Sequence, residues 1–214
     1  MPIPLRAVIF DCDGVLFDSL PANEAYYNAI LAKLGLPPMD PAQLALAHRG
    51  STLQFFEHVL GNDAEKIEQA RQVALSIDYE PFYQLMRPAP GLHEILASLR
   101  PRYRLGMATN RGYTAREVVR RFGLEEYLTA TVGTRDVERP KPHPDMLLRC
   151  AEWLGVRPQE AVYIGDAKTD AEAAQAAEMH FIGVGDAVDV PLRVGRLDQV
   201  PAALVWLENG SHRR

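Results

Sequence analysis

The sequence predicts an α/β fold in three layers, in which helices cover both faces of a parallel sheet and a helical segment interrupts the chain. Short apolar segments alternate with amphipathic segments between residues 92 and 184, a pattern typical of βα units. Another apolar segment stands alone near the N-terminus, and the residues that follow it show helical spacing without a convincing strand. These two observations predict a sheet core with a helical insertion.

The N-terminal apolar segment is the first predicted strand. It comprises Leu5-Arg6-Ala7-Val8-Ile9-Phe10, and the turn-forming sequence Asp11-Cys12-Asp13-Gly14 ends it. Helix start and stop signals follow at regular intervals. They predict helices from Pro21 to Leu34 before Gly35, from Asp40-Pro41, from Leu53 to Leu60 capped by Ser51, and from Asp63 to about Met86, with Pro81 as a kink or break.

The rest of the chain supplies the repeating part of the core. The predicted elements are helix Leu92–Leu99, strand Tyr103–Ala108, helix Tyr113–Phe122, strand Ala130–Val132, helix Pro144–Leu154, strand Ala161–Ile164, helix Thr169–Glu178 and strand His180–Val184. Such crossovers are nearly always right-handed, which predicts a Rossmann-like core. We divide the chain into an α/β core, residues 1–17 and 88–214, and a helical insertion, residues 18–87. The polar tail, residues 211–214, is expected to be disordered.

The composition excludes several classes of protein. The 214 residues include 23 basic and 28 acidic side chains, which gives a net charge of −5, and 47% of the residues are apolar. This apolar content is too high for a disordered chain, and the negative charge argues against binding to nucleic acid or to an acidic membrane. No apolar run approaches the roughly 18 residues of a membrane helix, and no secretory leader is visible. Cys12 and Cys150 form no disulfide framework, which predicts reduced thiols and a cytoplasmic location.

Polar side chains follow several predicted strands directly, and ligands of open parallel sheets bind at this carboxyl edge. Three strands and one loop contribute residues there: Asp11 and Asp13, Thr109 and Asn110, Asp166 and Asp170, and Lys141 from the loop Arg139-Pro140-Lys141-Pro142. Each has a simpler structural explanation when taken alone. The acids suit turns or helix starts, Thr109 suits a helix N-cap, and a lone lysine is usually a solvated charge.

Taken together, these residues predict a site for a cation and a phosphoryl group. Clustered carboxylates are costly to keep ionised without a cation, and oxygen ligands without His or Cys favour Mg²⁺. A carboxylate can act as the nucleophile in phosphoryl transfer and form an aspartyl-phosphate. A second acid two residues away could protonate the leaving oxygen and then deprotonate water.

Four short motifs occur in order along the chain. They are Asp11-Cys12-Asp13-Gly14-Val15-Leu16-Phe17-Asp18-Ser19, Thr109-Asn110-Arg111, Lys141-Pro142-His143-Pro144 and Gly165-Asp166-Ala167-Lys168-Thr169-Asp170. This set resembles the motifs of the haloacid dehalogenase-like phosphohydrolase superfamily. The helical insertion after the first motif is similar to the cap domain of its phosphoglycolate phosphatase and β-phosphoglucomutase branch. We therefore call residues 18–87 the cap.

The resemblance implies a role for each matching residue. Asp11 is expected to be the nucleophile and a Mg²⁺ ligand, and Asp13 the general acid/base with its backbone carbonyl on the metal. Thr109 and Asn110 are expected to bind the phosphoryl group through a hydroxyl and a backbone N–H. Lys141 would neutralise the charge between this group and the nucleophile.

The fourth motif completes the expected metal site. Asp166 would bind Mg²⁺ directly, and Asp170 would support the metal or its waters and orient Lys141. The acid at Asp13 argues against the halide-removing branch, which lacks it. One departure is Glu178, where relatives usually place Gly at a helix end, and it puts the geometry of that helix end in question.

The cap is expected to select the substrate because the phosphate site is generic. Its polar, turn-like candidate is His48-Arg49-Gly50-Ser51. Arg49, beside Gly50, is interpreted either as a contact to a substrate carboxylate or second phosphate, or as a solvated surface arginine. Arg111 and Lys168, which flank the phosphate motifs, are open to the same two interpretations.

The function predicted from the sequence is Mg²⁺-dependent hydrolysis of a small phosphorylated metabolite, of phosphoglycolate or sugar-phosphate type, through an aspartyl-phosphate. One alternative is a sugar-phosphate mutase, which transfers the phosphoryl group to sugar rather than to water. The other is a non-catalytic phosphometabolite-binding protein. A monomer or weak homodimer is expected.

Overall fold

A computed structural model describes residues 4–210 of the chain. Its eight strands are β1 Ala7–Phe10, β2 Phe17–Asp18, β3 Arg87–Pro88, β4 Arg104–Ala108, β5 Leu128–Val132, β6 Ala161–Gly165, β7 His180–Val184 and β8 Arg193–Val194. Six of them form one sheet in the order β5-β4-β1-β6-β7-β8, and every neighbouring pair in it is parallel. The predicted parallel sheet is confirmed.

Strand β1 lies near the middle of this sheet. It pairs with Arg104–Met107 on one side and with Ala161–Ile164 on the other. All four of its residues are buried, because helices cover both faces of the sheet. The carboxyl ends of β1, β4 and β6 therefore meet at one edge, and the residue after β1 is Asp11.

The helices form the two outer layers of the core and the cap. They are α1 Leu20–Lys33, α2 Pro41–Arg49, α3 Thr52–Leu60, α4 Ala64–Ser76, α5 Glu80–Tyr83, α6 Leu92–Leu99, α7 Thr114–Arg121, α8 Asp145–Leu154, α9 Lys168–Ala176 and α10 Val200–Gly210. Val8 and Phe10 share a hydrophobic cluster with α6, α7 and α10. Ala7 and Ile9, on the other face, pack with α8 and α9. This arrangement confirms the three layers. In residues 4–210, no helix is both long and apolar enough to cross a membrane.

The cap consists of α1–α5 and has two well-defined helix starts. Asp40 and Ser51 each accept the backbone N–H three residues ahead, and Gln43 and Gln54 bond back to the cap residues' N–H groups. These are capping boxes, which satisfy backbone donors that a helix start leaves unpaired.

The helix predicted from Asp63 to about Met86 is interrupted, which agrees with the break that was one of two expectations for Pro81, but the interruption lies earlier in the chain. Helix α4 ends at Ser76, Ile77 is extended, and α5 begins at Glu80. The Asp78 carboxylate accepts the backbone N–H of Glu80 at 3.0 Å. Pro81 occupies the first turn of α5, where its missing N–H costs no hydrogen bond. Pro81 therefore belongs to the start of a second helix rather than to a kink within one.

A short antiparallel ribbon connects the cap to the core. Phe17 pairs with Pro88 and Asp18 with Arg87, so the domain limits predicted between residues 17 and 18 and between 87 and 88 fall inside this ribbon. The Phe17 ring packs on Phe122, with the ring centroids 4.6 Å apart. The division of the chain at these limits stays a prediction.

Two features at the C-terminal side differ from the sequence expectations. Strand β8 and helix α10 were not predicted. The tail 211–214, which was expected to be disordered, lies outside the described residues. Helix α9 ends at Ala176, and Glu178 takes the left-handed conformation that glycine usually supplies, with φ of 53°. Its N–H donates to the Gln175 carbonyl oxygen at 3.1 Å, which closes the helix end without glycine.

Candidate active site

Asp11 and Lys141 form the centre of the site. Asp11 follows β1, where its N–H donates to the Ile164 carbonyl oxygen of β6 at 2.8 Å. Lys141 Nζ lies 3.0 Å from Asp11 Oδ1, and both side chains are almost completely buried. Burial raises the pKa of Asp11 well above its usual value, although the charge of Lys141 opposes this rise. The pair places an ammonium beside the predicted nucleophile.

Lys141 Nζ has three close oxygen neighbours. Besides Asp11, Nζ lies 2.7 Å from Asp170 Oδ1 and 2.8 Å from the Tyr163 hydroxyl oxygen. Burial alone would lower the pKa of Lys141, but the neighbouring carboxylates raise it well above its usual value. Asn110 holds the backbone here, because its Oδ1 accepts the Lys141 N–H at 3.1 Å. Lys141 is therefore a fixed, charged group.

Asp11, Asp166 and Asp170 form an acidic cluster. Each offers an oxygen within 4.8 Å of the other two. Burial, followed by the charge of Asp170, raises the pKa of Asp166 to about 7. Within residues 4–210, no hydrogen-bond donor contacts the Asp166 carboxylate. A half-buried carboxylate without a donor, beside two further carboxylates, fits a hard divalent cation such as Mg²⁺.

Asp170 is the most thoroughly bonded member of this cluster. Its Oδ1 accepts from Lys141 Nζ and lies 3.2 Å from the Tyr163 hydroxyl. Its Oδ2 accepts the backbone N–H groups of Asp166 at 3.1 Å and Ala167 at 3.0 Å. This geometry supports the predicted role of Asp170 in orienting Lys141. Direct metal ligation by Asp170 stays a prediction.

Gly14 makes room for Asp166. A Cβ atom at Gly14 would lie 2.2 Å from Asp166 Oδ2, and the φ of Gly14 is +76°. Both the space and the backbone conformation therefore require glycine. The first and fourth motifs contact each other here, across more than 150 residues of sequence.

Asp13 does not join the acidic cluster through its side chain. Its carboxylate accepts from Arg111 Nε at 2.8 Å and Nη2 at 2.6 Å, and also from the Ser19 hydroxyl. Burial would raise the pKa of Asp13, but Arg111 holds it below its usual value. The predicted metal contact through the Asp13 backbone carbonyl stays a prediction.

The structure distinguishes the three basic residues whose roles the sequence left open. The Lys168 side chain is 85% exposed and pairs with Glu172 on its own helix, 3.4 Å away. Arg49 is exposed at the cavity that the cap forms with the core, beside Gly50. Arg111, in contrast, is buried against Asp13. The sequence signal for this pairing was the position of Arg111 directly after Thr109-Asn110. That position places Arg111 at the same sheet edge as Asp13, an acid to which the sequence analysis had assigned no partner.

A cavity of about 310 Å³ separates this sheet edge from the cap. Asp11, Asp13, Thr109, Asn110 and Lys141 line it from the core. Cap residues that line it and that were not predicted include Asn23, Tyr26, Tyr27, Arg71 and Tyr79, and the predicted His48 lines it as well. The cavity thus has these five predicted core residues on one wall and the Arg49–Gly50 turn on the opposite wall, while Asp166 and Asp170 lie beside Asp11.

One edge of the sheet thus carries a buried ammonium, a candidate nucleophile, a hydroxyl and two further carboxylates. Such a set is typical of hydrolases that transfer a phosphoryl group. The fold and the site together place the protein in a class of hydrolases. The chain belongs to the haloacid dehalogenase-like hydrolase family, and the match to that family covers residues 8–184.

Known proteins similar to this chain agree with that assignment. A phosphoglycolate phosphatase of Chromobacterium violaceum is 33% identical over 191 residues, which cover 85% of each chain. An N-acetylmuramic acid 6-phosphate phosphatase of Pseudomonas aeruginosa is 32% identical over 177 residues, which cover 81% of this chain and 78% of that protein. A β-phosphoglucomutase structure from Clostridium difficile has a TM-score of 0.83 at 21% identity, covering 97% of this chain and 98% of that one, and it shows the shared fold alone.

Proposed function

We propose that this protein is a Mg²⁺-dependent phosphatase that hydrolyses a small phosphorylated metabolite through an aspartyl-phosphate. The observation that carries the proposal is the contact between Lys141 Nζ and Asp11 Oδ1, 3.0 Å apart beneath a cavity large enough for a metabolite. An aspartate beside a fixed ammonium can approach an anionic phosphoryl group that would otherwise repel it. Two relatives with phosphatase names, at 33% and 32% identity, support the same reaction class.

In the first half of the proposed reaction, a carboxylate oxygen of Asp11 attacks phosphorus. The bond between phosphorus and the ester oxygen breaks, and Asp13 delivers a proton to that oxygen, so that the alcohol leaves. Thr109 and the Asn110 N–H hold the phosphoryl oxygens, and Lys141 balances their charge. Lys141 is already held by Asp170 and Tyr163 before substrate binds, so its charge requires little reorganisation during the reaction.

In the second half, water attacks the phosphorus of the aspartyl-phosphate. Asp13, now a carboxylate, takes the proton from this water. The bond from phosphorus to Asp11 breaks, which releases inorganic phosphate and restores the Asp11 carboxylate. The balance of the two halves is one ester and one water converted to one alcohol and one phosphate.

Asp11 and Asp166 are the residues that would hold the cation, with Asp170 behind them. When bound, Mg²⁺ would offset the mutual repulsion of these carboxylates and the charge of the phosphoryl group. Asp166 has no donor among residues 4–210, whereas Asp170 has four contacts that keep it in place. Asp166 is thus the carboxylate with the most to gain from a cation.

The cavity supports a substrate of phosphoglycolate or sugar-phosphate size. Its cap wall combines Arg49 and Arg71 with the rings of Tyr26, Tyr27 and Tyr79. Arginines there suit a leaving group with a carboxylate or a second phosphate, and the rings provide apolar contact area. Substrate binding by Arg49 remains part of this proposal.

The test is phosphate release from a panel of phosphorylated metabolites, measured after chelation and after addition of Mg²⁺. We expect Mg²⁺-dependent release with at least one small monoester. Hexose 1-phosphates in the panel are also analysed for hexose 6-phosphate, because accumulation of that isomer without free phosphate would indicate the mutase instead. Binding of metabolites without any turnover would indicate the non-catalytic alternative.

A further inference from the structure

Arg111 contacts both the core and the cap. It lies directly after β4 and the Thr109-Asn110 pair, and its side chain is only 6% exposed. From the cap, the Tyr79 hydroxyl oxygen lies 3.1 Å from Nη1, and Asn23 Oδ1 lies 3.4 Å from Nη2. From the core, Asp13 accepts from Nε and from the other hydrogen of Nη2. The Arg111 guanidinium thus joins Asp13 to Asn23 in α1 and to Tyr79, which directly precedes α5.

The contact with Asp13 is a two-bond fork. Arg111 Nε lies 2.8 Å from Oδ2, and Nη2 lies 2.6 Å from Oδ1. Two parallel bonds fix both the position and the plane of a carboxylate, which a lysine could not do. The Ser19 hydroxyl donates to Oδ1 as well. The Asp13 carboxylate therefore has a single defined orientation.

This arrangement leaves Asp13 able to accept one more hydrogen. A carboxylate has about four acceptor positions. Arg111 Nη2 and Ser19 donate to Oδ1, while Arg111 Nε lies 2.8 Å from Oδ2 and 3.1 Å from Oδ1. Asp13 also lines the cavity. The remaining position on Oδ2 is therefore open to a water molecule in the cavity.

The fork, the Ser19 hydroxyl and the two cap contacts of Arg111 thus fix where the Asp13 carboxylate points. A carboxylate held in one orientation beside the cavity is placed to take a proton from a water molecule there, as the second half of the proposed reaction requires. We propose that Arg111 is a positioning residue, which holds Asp13 as the base for water attack on the aspartyl-phosphate. Tyr79 and Asn23 make this orientation depend on the position of the cap. The inference rests on the proposed phosphatase function.

The experiment separates the two halves of the reaction with 2,4-dinitrophenyl phosphate. Its leaving group departs without a proton donor, so kcat/KM reports Asp11 attack, whereas kcat reports hydrolysis of the intermediate. For Arg111→Gln we expect kcat to fall by about 10²-fold or more, the usual contribution of a positioned base. We expect kcat/KM to stay within about threefold of wild type, so that KM falls together with kcat. A burst of dinitrophenolate, equal to the enzyme concentration, is expected before the slow steady state.

Three further variants make the result specific. Arg111→Lys keeps the charge without the fork and is expected to lose most of the same kcat. Tyr79→Phe keeps the ring but removes one cap contact, and a smaller loss in kcat alone is expected. Arg120→Gln is the matched control, because Arg120 is exposed and pairs with Glu117 on its own helix. It is expected to behave as wild type.

Two outcomes would overturn the inference. A parallel loss of kcat and kcat/KM in Arg111→Gln would show that Arg111 binds the phosphoryl group or maintains the fold. An unchanged kcat would show that Asp13 needs no such support. Failure of the phosphatase proposal looks different, since wild-type protein would then release no inorganic phosphate above the spontaneous rate and at most one equivalent of dinitrophenolate. Added guanidinium provides an independent check, because it should restore kcat in Arg111→Ala and leave Arg111→Lys unchanged.

Discussion

The Tyr163 hydroxyl oxygen lies 2.8 Å from Lys141 Nζ and 2.8 Å from the Ala108 carbonyl oxygen. Tyr163 lies in the middle of β6 and is completely buried. Burial raises the pKa of its hydroxyl well above the usual value, so the group remains a neutral acceptor for the ammonium. A residue that no motif contains thus helps to hold the cation beside the predicted nucleophile.

Tyr163→Phe should lower phosphatase kcat by about tenfold. The reason is that a hydrogen bond to a buried charge is worth roughly 1.5–3 kcal/mol, and its loss lets Lys141 shift. Steady-state kinetics at saturating Mg²⁺ would measure the effect. Tyr103→Phe is the matched control, because it removes a hydroxyl that bonds Glu208 far from the site. Wild-type kcat in Tyr163→Phe would contradict this role.

Gly14→Ala should weaken metal binding by at least about tenfold, a size usual for changes next to metal ligands. The new methyl group would occupy the space of the Asp166 carboxylate, only 2.2 Å from Oδ2. Titration calorimetry with Mg²⁺ measures the change without any need for activity. Gly35→Ala is the control, since Gly35 has a similar φ of +71° but no atom within 4 Å of its Cβ position. Equal Mg²⁺ affinity in Gly14→Ala and Gly35→Ala would show that the clash with Asp166 does not weaken metal binding.

Asp11→Asn should reduce turnover by several orders of magnitude, because an amide cannot form the aspartyl-phosphate. Acid quenching with a ³²P-labelled substrate should show labelled protein in wild type and none in the variant. The exposed Asp198, which pairs with Arg196, provides the control Asp198→Asn. A labelled Asp11→Asn protein would assign the nucleophile to another residue.

Glu160 should make folding stability depend on pH. Its side chain accepts from Arg157, and these bonds lower its pKa to about 2 from its usual value of 4.5. A lowered folded-state pKa stabilises the fold above the unfolded value, and this contribution disappears as pH falls from about 4.5 towards 2. Glu160→Gln should therefore lower Tm at pH 7, with the difference from wild type shrinking below pH 4.5. A Tm difference that is constant with pH would contradict this prediction.

Most of the core could be predicted from local patterns. The strand His180–Val184 and the helix Leu92–Leu99 have the predicted limits, because apolar periodicity and flanking turns act within a few residues. The break at Ile77 was missed because Asp78 and Pro81 together start α5, and the helical spacing around them did not reveal it. Glu178 adopts a conformation that its residue type disfavours, since the helix end and Met179 are held by their own hydrogen bonds.

The sequence by itself determined which acids, hydroxyl and lysine stand at strand ends, since strand order and crossover handedness send those ends to one edge of the sheet. Only the tertiary structure decided how these groups are partnered. It paired Asp13 with Arg111, supported Lys141 with Tyr163 and left Asp166 without a donor in residues 4–210. Such partnerships depend on distances of a few ångströms between segments far apart in the chain, and no local sequence pattern encodes them.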